Sequence, residues 1–205
     1  MSEKDKMLRQ MLYDANGDAV LNNDRIKCKD LCYEFNMIKP SQTIKKEEVI
    51  KKILGKVKGK FVIMAPFWCD YGYNIEIGSN FFLNHNCTIL DAGKVIFGDN
   101  VFIGPDCGFY TANHPFDVKK RNEGLEYAHP IKIGNNVWIG GGVKVMPGVT
   151  IGDNTIIGGG SVVTKNIPKD CLAFGNPCKV IRKITADDLD LSLIHISEPT
   201  RRVVI

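Results

Sequence analysis

The sequence predicts a parallel β-helix, and three observations carry that expectation. From Ile133 to Val163 every sixth residue is aliphatic: Ile133, Ile139, Val145, Ile151, Ile157 and Val163. Glycine follows four of them, at Gly134, Gly140, Gly152 and Gly158. Four positions after each aliphatic stands a small or β-branched residue: Val137, Val143, Val149, Thr155, Ser161 or Ile167. A strand alternates its side chains with period two. Period six keeps that alternation and adds a turn, so each hexad fits one flat side of a triangular coil. The aliphatic then points inward and stacks on the next coil. The glycine is expected to supply turn geometry that a Cβ would resist, and the small residue to fill the corner. Buried sandwich strands would not hold one period over so many units.

The same phase runs upstream through Ile77, Leu83 and Ile89, and again through Phe97, Ile103 and Phe109. The two blocks are offset by a two-residue insertion within Leu90 to Lys94. Residues 111–130 break the pattern with His, Pro, charges and Asn-Glu-Gly. They read as a loop thrown out of one coil, and loops of that length usually serve function. Residues 1–58 read as a helical cap. Apolar residues there fall at helical spacing (Met7, Met11, Leu12; Ile26, Leu31; Val49, Ile50, Ile53, Leu54), and Ser41 is placed to cap a helix. Such a cap would shield the open edge of a β-helix spanning 59–184. Residues 185–205 read as a tail. Thr185 to Leu191 has the pattern of a helical turn, whereas residues 192–205 continue no pattern and read either as a natural tail or as an added segment.

The chain has 205 residues and a net charge of +4, an ordinary balance for a globular protein. That charge does not call for nucleic acid. No stretch approaches a membrane span, and the charged N-terminus lacks a signal-peptide core. Seven cysteines without framework spacing suggest reduced thiols and a cytoplasmic setting. Cys28 and Cys32, four apart in a helical stretch, are expected to pack there. Lys165, Lys169, Lys179, Arg182 and Lys183 gather near the end of the repeat. On their own they read either as a solvated face or as a site for a phosphorylated ligand.

A β-helix interior is filled by side chains, so any site must lie outside. Three features stand there: Asn84-His85-Asn86, the segment Thr111 to Pro115 where the coil departs, and the Gly-rich corner Trp138 to Gly142. His114 precedes a proline, which biases its backbone to an extended conformation. A fixed imidazole at a loop exit reads as a general base or as a turn residue without chemistry.

The segments FWCDYGYNIEIGSNFFLNHNCTILD (Phe67 to Asp91), TANHP, PIKIGNNVWIGGGVKVMPGVTIGDNTIIGGGSVVTKNIP (Pro130 to Pro168) and GNPCKVIRKI, with YEFN (Tyr33 to Asn36) before them, occur in that order. Together they closely resemble the maltose and galactoside O-acetyltransferases, a branch of the hexapeptide acyltransferases, over residues 5–184. The resemblance implies a left-handed coil, an acetyl-CoA donor, and a homotrimer with active sites between subunits. It implies that His114 removes the proton of a sugar hydroxyl, that Asn84 contacts the acceptor, and that the Gly141 N–H receives the oxyanion. Glu126, in GLEY, matches an acid that would orient the imidazole or stabilise its cation; it also reads as a solvated loop acid. Gly159, Thr164, Lys165, Lys179 and Arg182 align with coenzyme A contacts. Trp138 would line the pantetheine tunnel or pack between subunits. Asp14, Arg25, Asp70 and Asn84 match the site of a small sugar acceptor.

Asp70 stands where galactoside enzymes have Ser, and Ala92 where they have a second acid. CDYGYNI and GLEY look more like the maltose type. Lys179 replaces the commoner Arg, which keeps the charge and loses the planar fork. Two other readings are an acetyltransferase for an antibiotic or other hydroxylated acceptor, and a zinc β-helix of the γ-carbonic anhydrase type. The latter would need His85, His114 and His129 as ligands, and their motif contexts fit poorly. No metal is expected.

Overall fold

The structure, a computed structural model, describes residues 1–185 together with Asp188. Short parallel strands wind into a prism of about six coils with three faces. The first face holds Lys56–Val57, Ile75–Ile77, Val95–Phe97, Ile131–Ile133 and Thr150–Ile151. The second holds Phe61–Ile63, Phe81–Leu83, Phe102–Ile103, Trp138–Ile139, Ile156–Ile157 and Cys171–Phe174, with Lys179–Lys183 added antiparallel at its end. The third holds Phe67–Cys69, Cys87–Leu90, Gly108–Tyr110, Lys144–Val145 and Val162–Val163. The chain passes from first to second to third face in each of the first five coils. Residues three hexads apart are therefore stacked: Ile133 pairs with Ile151, Ile139 with Ile157 and Val145 with Val163.

The stacked aliphatics fill the core as the period requires, and Val137, Val143, Thr155 and Ser161 are buried at the corners. The glycines after the aliphatics have a different cause from the one the sequence suggests. Gly134 and Gly152 are not in the left-handed region. A Cβ on Gly134 would lie 2.3 Å from the Asp153 carboxylate, and one on Gly152 would lie 2.5 Å from the Lys169 amide. They are glycine because the next coil passes too close. The positive φ falls two residues later, on asparagine after Gly134 and Gly152, which tolerates it, and on Gly142 and Gly160 after Gly140 and Gly158. At the corner between first and second faces, Asn80, Asn100, Asn136, Asn154 and Asp170 all adopt it. Their side chains form a ladder, each amide donating to the next residue at 2.9, 3.0, 2.9 and 2.7 Å.

Upstream, aromatic rings replace aliphatics in the core. Phe97 sits between Phe81 and Phe109, with centroids 5.1 Å away on both sides. The tilted and edge-on arrangements suit the ring quadrupoles. Phe97→Ala would leave a cavity across all three faces and is expected to cost about 3–5 kcal/mol. The shift in the urea unfolding midpoint measures it.

Three helices cover the start of the prism: α1 (Glu3–Leu8), α2 (Ala19–Met37) and α3 (Thr43–Ile53). The Asp18 carboxylate accepts from the Leu21 N–H at 2.8 Å and caps α2. Ser41 does not cap α3. Gln42 occupies that position without a side-chain cap bond, because the helix starts at Thr43. The apolar spacing also misplaces the buried face of α2: Ile26 is 61 % exposed, and the inward stripe is Leu21, Cys28, Cys32 and Phe35. Small thiols allow α2 to lie close to the first coil. There the Asn36 amide donates to the Phe67 carbonyl at 3.0 Å and accepts from its N–H at 2.8 Å. One side chain thus satisfies a donor and an acceptor of the first strand on the third face.

Residues 111–130 leave the coil as expected and carry secondary structure of their own. Ala112–Asn113 and Leu125–Ala128 pair antiparallel, α4 (Val118–Asn122) lies between them, and Tyr13–Asp14 from the cap adds a third strand. Thr111, fully buried at the base, accepts from the Gly93 N–H at 2.8 Å and donates to the Leu90 carbonyl at 2.6 Å. Of the expected turn and tail over 185–205, only Thr185 and Asp188 fall within the described residues. Among the described residues no helix is long and apolar enough to cross a membrane.

Candidate active site

His114 leaves the prism at the corner between third and first faces, just after Ala112–Asn113. Its Nδ1 lies 3.0 Å from the Leu125 carbonyl. A carbonyl only accepts, so Nδ1 carries the proton and Nε2 presents a lone pair. Nε2 lies 3.9 Å from Glu126 Oε1. That is too long for a hydrogen bond and close enough to stabilise an imidazolium. The other carboxylate oxygen of Glu126 accepts from the Tyr13 hydroxyl at 2.8 Å. Tyr13 is buried, and burial together with the Glu126 charge pushes its phenol well above the usual range, so it remains a donor. Tyr13 therefore fixes the acid that faces the imidazole. Nothing in its local sequence marks it, because the contact spans most of the chain.

Three residues expected at the acceptor site gather beside this group. Tyr13 and Asp14 pair with Glu126 and Leu125. The Asp14 carboxylate accepts from the N–H groups of Asn16 and Gly17, at 3.1 and 2.7 Å. The Arg25 guanidinium donates to the Tyr71 hydroxyl at 2.9 Å and also bonds Asn22. Burial raises the Asp70 carboxyl above its ordinary value; Lys29 and Arg25 oppose that shift and Glu126 adds to it. These charges are near enough to sense one another.

Beneath them, Asp91 is fully buried at the same corner. It accepts from the N–H groups of Asp70, Tyr71 and Asn74 at 3.0, 2.8 and 3.3 Å, holding the turn that presents Asp70. Burial pushes its carboxyl up to about 6, against the pull of the backbone donors from Tyr71 and Gly72. A carboxyl raised on folding binds more protons in the native state, so its contribution to stability falls as pH rises. The stability advantage of wild type over Asp91→Asn is expected to shrink between pH 4 and pH 7, by about 3 kcal/mol at most. Urea melts of both proteins across that range would show it; an advantage that grows with pH would refute it.

A second set of expected residues lies on another corner, between second and third faces. Asn84 in the second coil, Gly141 in the fourth and Gly159 in the fifth stand above one another there. The Asn84 side-chain oxygen Oδ1 accepts from the His85 N–H at 2.7 Å. Among the described residues, the Gly141 N–H donates to no protein acceptor. A Cβ on Gly104 would lie 2.5 Å from that nitrogen, so Gly104, which the sequence reading passed over, keeps the amide clear. The third face separates this corner from His114. One protomer thus brings His114, Glu126, Asp14, Arg25 and Asp70 together, and leaves Asn84 and Gly141 elsewhere.

Of the remaining expected residues, Trp138 lies in the fourth coil and the others at the far end of the prism. Trp138 projects from the second face, 42 % exposed. Thr164 and Lys165 are exposed after the fifth coil, and Lys179 on the terminal strand. Arg182 is engaged by Asp188 in a two-pronged pair at 2.6 and 2.5 Å. Within one protomer the histidines of the metal alternative do not converge: His85 faces the Ala65 carbonyl at the second–third corner, and His129 approaches Gln10.

Residues 6–59 match the maltose acetyltransferase hexapeptide capping motif, and residues 130–165 match the bacterial transferase hexapeptide of six repeats. The Saccharomyces cerevisiae protein YJL218W, provisionally named an acetyltransferase, is 55 % identical over 86 % of this chain and 90 % of its own. The chain belongs to the maltose and galactoside branch of the hexapeptide acetyltransferases. Within that family, the maltose O-acetyltransferase of Clostridium difficile 630 superposes with a TM-score of 0.88 at 49 % identity, covering 90 % of this chain and 98 % of the other. A galactoside acetyltransferase in complex with coenzyme A gives 0.88 at 42 %, covering 92 % and 94 %. The recognition made from the sequence and the expected β-helix both hold.

Proposed function

We propose that the protein transfers an acetyl group from acetyl-CoA to a hydroxyl of a small sugar, with the site shared between neighbouring protomers of a homotrimer. One observation carries the mechanism: the Leu125 carbonyl fixes the tautomer of His114, and Tyr13-anchored Glu126 waits 3.9 Å from its free nitrogen. His114 Nε2 takes the proton of the acceptor hydroxyl as that oxygen attacks the thioester carbonyl. Glu126 stabilises the imidazolium. The oxyanion settles on the Gly141 N–H of the neighbour, whose Asn84 steadies the acceptor. Collapse forms the ester and expels the coenzyme thiolate, which recovers the proton from His114. No enzyme nucleophile is required, since the thioester is already activated.

Asp14, Arg25 and Asp70 offer the polar edges that a sugar needs. Trp138, Gly159, Thr164, Lys165, Lys179 and Arg182 are assigned to the coenzyme. Arg182 would release Asp188 to meet a phosphate. The corners support a shared site: His114 and the Asn84–Gly141 column are on different vertices of one prism, and a second copy can bring one against the other. Residues 1–58 serve as cap and 59–184 as the transferase prism, and seven free thiols suit a reducing cytoplasm. The test is free-thiol release from acetyl-CoA against a panel of glucosides, galactosides, maltose and xenobiotic alcohols. Turnover with hexose acceptors and none with the alcohols supports the sugar reading; the reverse pattern replaces it with the antibiotic-type reading.

A further inference from the structure

Beneath the cap, away from the proposed transfer chemistry, three thiols meet. Cys28 and Cys32 stand one turn apart on α2, and Cys69 ends the first strand of the third face. Cys28 Sγ lies 3.4 Å and Cys32 Sγ 3.7 Å from Cys69 Sγ, and all three sulfurs fall within 4.8 Å of one another. Their residues are 5 %, 0 % and 2 % exposed. We propose that this trio is a metal site that holds one thiophilic d10 cation, Zn(II) or Cu(I), and pins the helical cap to the first coil.

The spacing matches such an ion. With metal–sulfur bonds of about 2.3 Å, ligand sulfurs stand ~3.8 Å apart in a tetrahedral site and ~4.0 Å apart in a trigonal one. The two separations to Cys69 need adjustment by only a few tenths of an ångström, and the Cys28–Cys32 separation lies within 4.8 Å. Thiolate-only donors select soft cations over Mg or Ca. Plain packing explains a buried cysteine singly, as a small apolar residue. It gives no reason for three sulfurs from two remote segments to point at one spot. Cys87, Cys107, Cys171 and Cys178 are also buried, and among the described residues they form no such group. A cavity of about 150 Å³ lined by Asp24, Lys27, Cys28, Tyr71 and Tyr73 touches one of the three thiols, that of Cys28.

Binding breaks three S–H bonds, forms three metal–sulfur bonds and releases three protons to solvent, with no change of oxidation state. The site leaves a net charge of −1 with Zn(II) or −2 with Cu(I). Because Cys69 adjoins Asp70 and α2 also carries Arg25, the ion would stiffen the frame of the acceptor pocket.

The full-length protein, reduced and stripped of metal under anaerobic conditions, is titrated with Zn(II) and separately with Cu(I), each against a chromophoric chelator. One equivalent per chain is expected for at least one of them, with a rise in melting temperature. Cys32→Ala and Cys69→Ala should each weaken binding at least about tenfold, while Cys178→Ala leaves it unchanged. X-ray absorption on the loaded wild type should count three sulfur ligands, which decides the matter even where a variant fails to fold. Absence of a stoichiometric site for either ion overturns the proposal, as does unchanged binding by Cys69→Ala or a sulfur count below three.

Discussion

His114→Ala is expected to lower kcat by about two to four orders of magnitude, the range for loss of a general base, while trimer assembly and coenzyme affinity persist. The expectation follows from geometry. His114 is exposed at a corner, its Nδ1 is committed to the Leu125 carbonyl, and it supports no part of the core. Its removal costs chemistry and not structure. Steady-state thiol release, with size-exclusion chromatography and coenzyme binding by calorimetry as controls, checks all three parts. An unchanged kcat would remove His114 from the mechanism. A loss of assembly would show that the side chain is structural. Two to four orders correspond to about 3–5 kcal/mol of transition-state stabilisation. A single residual N–H could not mask a loss of that size.

The parts of the molecule that repeat were legible in the sequence, and the parts that depend on distant pairing were not. The hexads from Ile133 to Val163 fixed strand length, phase and inward positions because each unit meets the same neighbours three hexads away. The reason for the glycines was misread because one chain written linearly does not show how near the next coil passes. The cap was harder still. α2 buries Cys28 and Cys32, as their spacing suggests, but leaves Ile26 exposed, since the groove it enters is defined by Cys69 and Phe67, far away in the chain. At the site, His114 stood out through its proline and its motif. Glu126 has two readings in the sequence, and the Tyr13 and His114 contacts on either side of its carboxylate support the one proposed above. Tyr13 and Gly104 carried no signal of their own. One acts through a strand pair between cap and hairpin, the other through a missing Cβ beside Gly141.

The separation of His114 from Asn84 by a whole face sets up the sharper test. If each site takes the imidazole of one protomer and the amide of the next, neither His114→Ala nor Asn84→Ala trimers contain an intact site. A mixed trimer does, wherever an Asn84→Ala chain, whose His114 is native, sits beside a His114→Ala chain, whose Asn84 is native. Random reassembly of equal amounts makes about a quarter of the sites whole, since a ring of three heterologous contacts joins the two lesions independently. Mixing two proteins that are each at about one hundredth of normal turnover or below should therefore restore activity to about a quarter of wild type. Recovery should appear only after the subunits have been dissociated and reassembled together. Simple mixing of intact trimers serves as the control. A site built within one protomer gives no recovery at any ratio, because no chain in the mixture carries both residues. That outcome would require the third face to be bridged within a single chain, and the parallel register of Gly108–Tyr110 on Cys87–Leu90 and Lys144–Val145 leaves no strand free to do so.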